Sequence, residues 1–417
     1  MQANKLKNWL KHQKNIKKIK INKKKISNLK DWIFKKNVIL NSKQNFFSIK
    51  AFIIKCKNKI TYQPLIVQNE NGILGIIKKK KDNKDYYLLQ AKIEPGNING
   101  IQISPTVQAT KSNYLRKHGG KKTLFLNFFM KTNNQLKIIS KKKLSEQGSR
   151  FLKKKNWNIL IEAKNPLITN KDNYRWLTRD NLKYLANKKN ILNMDTLSVM
   201  SSIMQKNANE NTLRSNKQIQ NKLNNFIKKN KIKRLNINFK DLNNWVITKD
   251  FITDIKKKFF SILFIDVYAN SREIKKWEQP IISDHFSSLN GFLICKYNNT
   301  VHYLLQLVIE PGLDNAKYTS TIFEKNFSSN LKKKIKYFYF FSKNNLLLDV
   351  VNSDEGGRFL KNQIRNIICE IKDFNKINLT ENFIWASHNQ VVDLIANDKM
   401  TIESRNLFAS YNIDKIY

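Results

Sequence analysis

A short polar segment of the chain gathers groups that could recognise an oxygen-rich, anionic ligand. Residues 105–114 read PTVQATKSNY, which brings hydroxyl, amide, ammonium and phenol groups together. Ser, Thr and Asn donate hydrogen bonds to oxygen atoms, lysine supplies positive charge, and tyrosine donates or stacks. The segment therefore predicts a site for a ligand with diphosphate and sugar hydroxyl groups. An ordinary polar surface loop is the alternative interpretation.

Other residues could complete such a site, and each also has a structural interpretation. Gly148 and Arg150 stand in SEQGSRF at residues 145–151, which suits either a turn facing a phosphate or a structural ion pair. His118, beside two glycines, could be a general acid or base, or simply a polar loop residue. Trp32 and Trp245 could stack on a nucleobase, or they could belong to the core.

Several common catalytic motifs do not occur. The sequence has no GxGxxG, P-loop, HExxH or GxSxG pattern. Cys56, Cys295 and Cys369 have no metal-ligand spacing, and scattered cysteines are typical of a reducing compartment. No apolar run reaches the about 18 residues of a membrane span, and the N-terminus lacks the apolar segment of a secretory signal. We therefore expect a cytoplasmic protein without a bound metal.

The 417 residues carry a formal net charge of +47. Such a charge is typical of proteins that bind nucleic acids or anionic membranes. The lysines are spread along the whole chain, however, without the interleaved aromatic residues of a nucleic-acid module. We interpret the charge as a lysine-rich solvated surface, which would also attract an anionic small molecule.

The chain contains two similar halves. YQPL at residues 62–65 corresponds to EQPI at 278–281, YLLQAKIEPG at 87–96 to YLLQLVIEPG at 303–312, SEQGSRF at 145–151 to SDEGGRF at 353–359, and WLT at 176–178 to WAS at 385–387. The matches keep their order and spacing, which indicates a tandem duplication. We predict a basic leader or helix at 1–28, a first repeat at 29–205, a basic helical connector at 206–239 and a second repeat at 240–417.

Each half has the pattern of a mixed α and β fold. Apolar runs at 72–77 and 86–94, and again at 292–297 and 301–310, predict one β-hairpin in each half. Residues 121–131 predict another strand. Residues 179–189 and 388–397 predict helices, with Thr178 and Ser387 as their N-caps.

Three long motifs resemble one enzyme family. KIEPGNINGIQISPTVQATKSNYLRKHGG at 92–120, SEQGSRFLKKKNWNIL at 145–160 and NMDTLSVMSS at 193–202 are similar to the NDP-hexose 2,3-dehydratases. The resemblance covers residues 29–205 and 240–417. It implies an α+β fold of two tandem Nudix-like domains, a homodimer, and no metal or redox cofactor. Leu197 stands where the family usually has arginine.

The resemblance implies substrate-binding residues in both halves. Those of the first half are Trp32, Thr110, Lys111, Ser112, Asn113, Tyr114 and Ser145, with Arg150 from the phosphate-facing turn. Those of the second half are Trp245, Gln306, Thr321, Ile322, Phe323, Phe327, Ser328, Asp354, Glu355, Gly356 and Gly357. The second half departs from the first at residues 320–328, where STIFEKNFS introduces Phe323 and Glu324, and a carboxylate repels a diphosphate. We expect one intact pocket and one altered pocket.

The implied reaction removes water across C2 and C3 of an NDP-4-keto-6-deoxyhexose, most simply the dTDP sugar. A base removes the C3 proton, which the C4 ketone acidifies, and the C2 hydroxyl leaves as water to give a 3,4-diketo-2,6-dideoxysugar. The candidates for proton transfer are His118, Tyr114 and Glu146, in that order. The unstable product implies coupling to an NADPH-dependent 3-ketoreductase.

Two rival interpretations stay open. The first is a catalytically degenerate Nudix-like protein that binds nucleotides, and a turnover assay separates it from a dehydratase. The second is a basic nucleic-acid-binding protein, for which steeply salt-dependent DNA binding would be the evidence.

Overall fold

The two halves of the chain fold into the same succession of helices and strands. The computed structural model describes residues 3–44, 46–111, 123–130, 136–163, 171–327, 335–343 and 346–417. The first half contains α1 (Ala3–Ile16), β1 (Ile19–Lys23), β2 (Trp32–Lys35), β3 (Val38–Asn41), β4 (Ser48–Cys56), β5 (Lys59–Val67), β6 (Gly72–Lys81), β7 (Lys84–Ile93), β8 (Ile101–Ser104), β9 (Val107–Ala109), α2 (Asn127–Met130), β10 (Leu136–Ser145), β11 (Lys155–Ala163), β12 (Tyr174–Thr178), α3 (Arg179–Ala186) and α4 (Met194–Ser202).

The second half repeats this order. It contains α5 (Asn216–Lys229), β13 (Ile232–Ile237), β14 (Trp245–Ile247), β15 (Phe251–Asp254), β16 (Phe260–Ala269), β17 (Lys276–Asp284), β18 (Ser288–Tyr297), β19 (Thr300–Val308), β20 (Lys317–Thr319), β21 (Ile322–Glu324), α6 (Phe338–Lys343), β22 (Leu346–Ser353), β23 (Gln363–Glu370), β24 (Phe383–Ser387), α7 (His388–Ala396) and α8 (Ile402–Tyr411). The predicted α+β class and the predicted duplication are therefore confirmed.

Each half holds one large mixed sheet. In the first half the strand order is β10–β11–β6–β7–β12, with β8 paired to β7 and β9 paired to β6, which makes a seven-stranded sheet. The equivalent sheet of the second half is β22–β23–β18–β19–β24, with β20 on β19 and β21 on β18. The central pairs β6·β11 and β18·β23 are parallel, whereas their neighbours are antiparallel.

The two smaller sheets exchange a strand. Strand β1 of the first half pairs antiparallel with β16 of the second, with Ile21 opposite Val267. Strand β13 of the second half pairs in the same way with β4 of the first, with Leu235 opposite Ile53. The segments expected as a leader and a connector thus each carry a helix followed by an exchanged strand.

The hairpins predicted from the apolar runs are confirmed as β6–β7 and β18–β19. The helices predicted after the tryptophan triplets are confirmed as α3 and α7, and Thr178 and Ser387 both form capping boxes. The strand predicted at 121–131 is wrong, because Asn127–Met130 is helical. This aromatic-rich run has a high strand propensity, but Phe129 packs its ring against Gly75 of β6, and packing outweighs propensity.

One apolar core unites the halves. Leu74 and Tyr87 of the first large sheet belong to the same buried cluster as Phe292 and Tyr303 of the second. Helices α4 and α8 pack against each other within the protein, and nearly all their residues are buried. A site between the halves can therefore be held rigidly. Over the described ranges, none of the helices combines the length and apolar character needed to cross a membrane.

Candidate active site

The repeated sequence motifs meet across the boundary between the halves. The EPG turn of each half docks on the SEQGSR-type turn of the other: Gly96 N donates to Gly356 O at 2.7 Å, and Gly312 N donates to Gly148 O at 2.6 Å. A Cβ atom on Gly96 would lie 1.6 Å from Phe359 O, so only glycine permits this approach. The motifs therefore build one shared interface, and each pocket receives residues from both halves.

A cavity of about 560 Å³ opens beside the Gly96–Gly356 contact. Its wall combines the first large sheet, the loop after β3 and helix α4 with β17 and the 355–358 turn of the second half. The charged residues that line it are Asp31, Lys43, Lys92, Glu94, Glu146, Lys154, Asp195, Arg272, Glu273, Lys276, Glu278, Glu355 and Arg358. A cavity of this size and polarity suits a small polar ligand.

Two of the cavity carboxyl groups are held by hydrogen bonds. Glu94 Oε1 lies 3.1 Å from Lys92 Nζ and accepts from Gln108 Nε2 at 3.3 Å. Glu146 Oε1 accepts from Asn156 Nδ2 at 2.6 Å. Burial raises the pKa of Glu146 above its usual range, although Arg405 and Lys154 oppose the shift. Burial therefore favours the protonated form of the Glu146 carboxyl group.

Two further carboxyl groups of the cavity, Asp195 and Glu355, make no side-chain hydrogen bond or ion pair to any described residue. Asp195 lies in the first turn of α4, whose N-cap is Asn193, and Glu355 lies on the docking turn of the second half. Burial raises the pKa of Asp195 well above its usual range, and the charge of Glu355 adds to the shift. Burial also raises the pKa of Glu355 to about 7, with Glu94 and Glu146 adding to the shift against Arg358.

Cations stand beside these acids. The guanidinium carbon of Arg358 lies 4.2 Å from the ring centre of Phe47 and 4.8 Å from that of Phe46, so the side chain is fixed by stacking. Burial lowers the pKa of Lys154, whose Nζ donates to the backbone oxygen of Glu70. Arg272, from the second half, approaches Glu94 at 3.9 Å. The cavity thus presents both positive charge and protonatable carboxyl groups.

The expected site residues do not lie together, and only some of them line the cavity. Thr110, Glu146, Glu355 and Gly357 line the cavity. Lys111 lines a smaller neighbouring cavity of about 360 Å³ beside Trp157. The remaining expectations for this loop and its counterpart, Ser112, Asn113, Tyr114, His118 and Ser328, lie outside the described residues.

Trp32 and Trp245, expected to stack on a base, lie in the core between the halves. They are 3% and 9% exposed, and neither lines the cavity. Trp32 Nε1 donates to Glu278 O at 2.8 Å, and Trp245 Nε1 donates to Tyr62 O at 2.8 Å. Each indole therefore ties its own half to the other half.

Several expected ligand contacts are instead buried structural contacts. Ser145 Oγ donates to Asp398 Oδ2 at 2.7 Å, and Arg150 pairs with Asp284 at 2.7 Å. Thr321 Oγ1 donates to Leu304 O at 2.6 Å. The other members of this group occupy the second half: Gln306 in β19, Ile322 and Phe323 in β21, Phe327 against Phe338, Asp354 beside Gln147, and Gly356 at the docking turn.

The equivalent pocket of the second half contains a lysine. Ala109 pairs with Ile73 in the first half and Glu324 pairs with Leu289 in the second, so Lys325 is the counterpart of Thr110. Lys325 Nζ lies 3.3 Å from Asp354 Oδ2 and 3.7 Å from Glu403 Oε1. These carboxyl groups are the counterparts of Glu146 and Asp195.

The next residue, Asn326, forms hydrogen bonds to two segments that border this second pocket. Its Oδ1 accepts from His285 N at 3.0 Å and Phe286 N at 3.1 Å, while its Nδ2 donates to Lys258 O at 3.1 Å. The corresponding loop of the first half, with Lys43 and Phe46, lines the open cavity instead. The chain itself therefore fills and closes the second pocket.

Sequence reasoning missed Asp195, Arg272, Lys154 and Arg358 as cavity residues. Asp195 was inside the NMDTL motif, and Arg358 was the repeat counterpart of Arg150, so both had a signal in the sequence. Lys154 also lay inside the motif at 145–160, whereas Arg272 had no such signal, because only the folded chain brings it to the cavity. Within the described part of the chain, no three His, Cys, Asp or Glu side chains are grouped so that they could hold a metal ion.

Comparison with known proteins identifies the family to which this duplicated α+β fold belongs. The family model of the NDP-hexose 2,3-dehydratases matches residues 3–203 and 216–410. The chain belongs to the NDP-hexose 2,3-dehydratase family. It is also similar to curated proteins named dTDP-4-dehydro-6-deoxy-alpha-D-glucopyranose 2,3-dehydratase.

Three such relatives show the extent of the similarity. The protein from Amycolatopsis orientalis is 29% identical over 84% of this chain and 75% of its own length. The protein from Streptomyces violaceoruber is 29% identical over 83% of this chain and 82% of its own length. The protein from Saccharopolyspora spinosa is 27% identical over 84% of this chain and 78% of its own length.

Proposed function

We propose that the chain removes water across C2 and C3 of dTDP-4-keto-6-deoxyglucose, giving a dTDP-3,4-diketo-2,6-dideoxysugar in deoxysugar biosynthesis. Membership of the family and the names of the relatives support the reaction and the substrate. The observation that carries the proposal is the cavity between the halves, in which Arg358 and Lys154 stand beside Glu146, Asp195 and Glu355.

The two kinds of charge have separate tasks in this reaction. A diphosphate needs fixed cations, and guanidinium groups donate paired hydrogen bonds to phosphate oxygens. The dehydration needs one group to take the C3 proton and another to protonate the departing C2 hydroxyl. Glu146 is a candidate on these grounds, and His118 and Tyr114 remain candidates from the sequence. The reaction redistributes electrons within the sugar, so it requires no redox cofactor.

The finer structural expectations belong to the same proposal. We assign each half, at 29–205 and 240–417, a Nudix-like fold, and we expect two chains to form a homodimer in the cytoplasm. The mixed sheets and the free thiols of Cys56, Cys295 and Cys369 support these assignments. Because a 3,4-diketosugar is unstable, an NADPH-dependent 3-ketoreductase is expected to consume the product.

The test is incubation of the full chain with dTDP-4-keto-6-deoxyglucose, a 3-ketoreductase and NADPH, followed by mass spectrometry. The expected product is a dTDP-4-keto-2,6-dideoxyhexose, formed together with one molecule of water. Tight dTDP binding with unreacted substrate would overturn the dehydratase and would favour the nucleotide-binding alternative. A reaction without the chain, and one without the reductase, are the matched controls.

A further inference from the structure

We propose that Glu355 is the base that removes the C3 proton and that Asp195 is the acid that protonates the departing C2 hydroxyl. The inference rests on the proposed function and assigns its two proton transfers. It makes the site a composite of both halves, because Asp195 comes from α4 of the first and Glu355 from the docking turn of the second.

The first argument is the bonding state of the cavity acids. Glu94 is bound by Lys92 and Gln108, and Glu146 is bound by Asn156. Asp195 and Glu355 line the same cavity and make no such contact with the described residues. Asp195 is buried and Glu355 is half-buried at the cavity wall, and carboxyl groups that face a cavity without a protein partner are typical of catalytic sites.

The second argument is the space around Glu355. A Cβ atom on Gly357 would lie 2.7 Å from Glu355 Oε1 and 3.7 Å from Glu94 Oε1. The absence of a side chain at Gly357 therefore leaves room for ligand beside the Glu355 carboxyl. In the other half the same two positions hold Gln147 and Ser149, and Gln147 Nε2 donates to Asp354 at 3.0 Å. The open cavity thus has the carboxyl group of Glu355 where the filled pocket has the amide of Gln147.

The electrostatics agree with one shared proton. Burial raises the pKa of both groups, and Glu355 is the charge that acts most strongly on Asp195. Two carboxyl groups that repel each other in a buried site do not both ionise, so one stays protonated near neutral pH. The pair can then offer an acid and a base together.

The proton transfers balance over a full turnover. The C3–H bond breaks, its proton goes to Glu355, and its electrons form the enolate of C3, C4 and the C4 oxygen. The enolate reforms the C4 carbonyl as the C2=C3 bond forms and the C2–O bond breaks, and Asp195 supplies the proton that completes water. Glu355 then protonates C2 while Asp195 accepts the proton of the C3 hydroxyl, which gives the 3,4-diketone and restores both groups.

Hydrogen exchange in D₂O separates the two roles. Glu355→Gln should lose both exchange at C3 and formation of product, by about 10²–10⁴-fold, the usual contribution of general acid–base catalysis. Asp195→Asn should still exchange the C3 hydrogen of recovered substrate within about tenfold of the unmodified chain, but should lose product formation by about 10²–10⁴-fold. Mass spectrometry of recovered substrate and product measures both rates.

Controls keep the outcomes distinct. Both variants should bind dTDP within about threefold of the unmodified chain by titration calorimetry, and Glu162→Gln, on β11 beside Lys78, should change neither rate. Exchange at the normal rate in Glu355→Gln, or water loss at the normal rate in Asp195→Asn, would overturn the assignment. If the unmodified chain neither exchanges nor dehydrates, the proposed function itself fails.

A second measurement does not depend on the variants folding. In the unmodified chain the rate of C3 exchange should rise as the pH rises through about 7, because Glu355 must lose its proton to act as a base. An exchange rate that is flat between pH 6 and pH 8 would contradict the role of Glu355.

Discussion

The two halves share a fold but treat their equivalent pockets in opposite ways. In the first, Glu146 and Asp195 face an open cavity; in the second, their counterparts Asp354 and Glu403 surround the ammonium group of Lys325. The chain thus places a cation between the carboxyl groups of the second pocket, whereas the first pocket has the neutral Thr110 at the equivalent position.

The difference shows how a duplicated fold can divide its tasks. Both docking turns are needed for the structure, because the Gly96 and Gly312 contacts hold each half against the other. Only one pocket has to remain open. The second half keeps its structural role and also contributes Glu355 and Arg358 to the pocket of the first.

The largest effect should come from giving the first pocket the cation of the second. Thr110→Lys places an ammonium group beside Glu146 and Asp195, where an ion pair would hold both carboxyl groups in the ionised form. We expect the steady-state turnover to fall by about 10²–10⁴-fold, the contribution of general acid–base catalysis. Thr212→Lys, which adds the same charge at an exposed position, is the control. Turnover within tenfold of normal would show that the two pockets are not equivalent at this position.

Removing the cation from the second pocket should cost stability. Lys325→Met leaves Asp354 and Glu403 buried without their partner, and such a loss typically costs about 3–5 kcal/mol of unfolding free energy. Urea unfolding measures the change. Lys296→Met breaks an exposed pair with Glu370, and we expect a cost below about 1 kcal/mol there. Equal costs for the two variants would mean that Lys325 does not neutralise the pocket.

The rim contacts of Asn326 should have a smaller effect. Asn326→Gly keeps the positive φ of 55° and removes the hydrogen bonds that join the two rims. We expect a loss of about 1–3 kcal/mol, because buried backbone groups become unpaired. Asn83→Gly, at the same φ of 55° in an exposed turn, isolates the effect of glycine itself. If Asn326→Gly loses no more unfolding free energy than Asn83→Gly does, Asn326 does not close the second pocket.

The pH dependence of the unfolding free energy should also report on the second pocket. Burial raises the pKa of Glu310 to about 8, and the charge of Glu403 adds to the shift. The unfolded chain releases this proton near pH 4.5, so the unfolding free energy should fall as the pH rises from about 4.5 to 8, by at most about 1.4 kcal/mol per pH unit. Glu310→Gln should flatten this slope in urea titrations, whereas Glu162→Gln should not. An unchanged slope in Glu310→Gln would contradict the prediction.

The sequence revealed the duplication because the docking turns need particular residues. Glycine at Gly96 and Gly312 is required by a close backbone approach, so both EPG motifs stand out against a glycine-poor chain. The hairpins and the capped helices also follow from local patterns. Strand exchange does not, because the pairing of β1 with β16 joins distant segments and leaves no local signature.

The site was only partly accessible from the sequence. Glu146 and Thr110 lay in motifs and do line the cavity, but burial and pairing are properties of the folded chain. Trp32 shows this limit, since an indole suited to stacking is used to bridge the halves. At residues 320–328 we expected Glu324 to disturb the second pocket, whereas the neighbouring Lys325 is the residue that fills it.

The exchanged strands also set an order of events during synthesis. Strand β1 is synthesised long before its partner β16, which ends at Ala269. At about 5–20 residues per second, β1 would wait on the order of tens of seconds without its edge partner. Its sequence, IKINK, places lysines along that edge, and charged edges resist pairing with a neighbouring chain. Part of the lysine excess can thus protect the nascent protein from aggregation while its second half is being made.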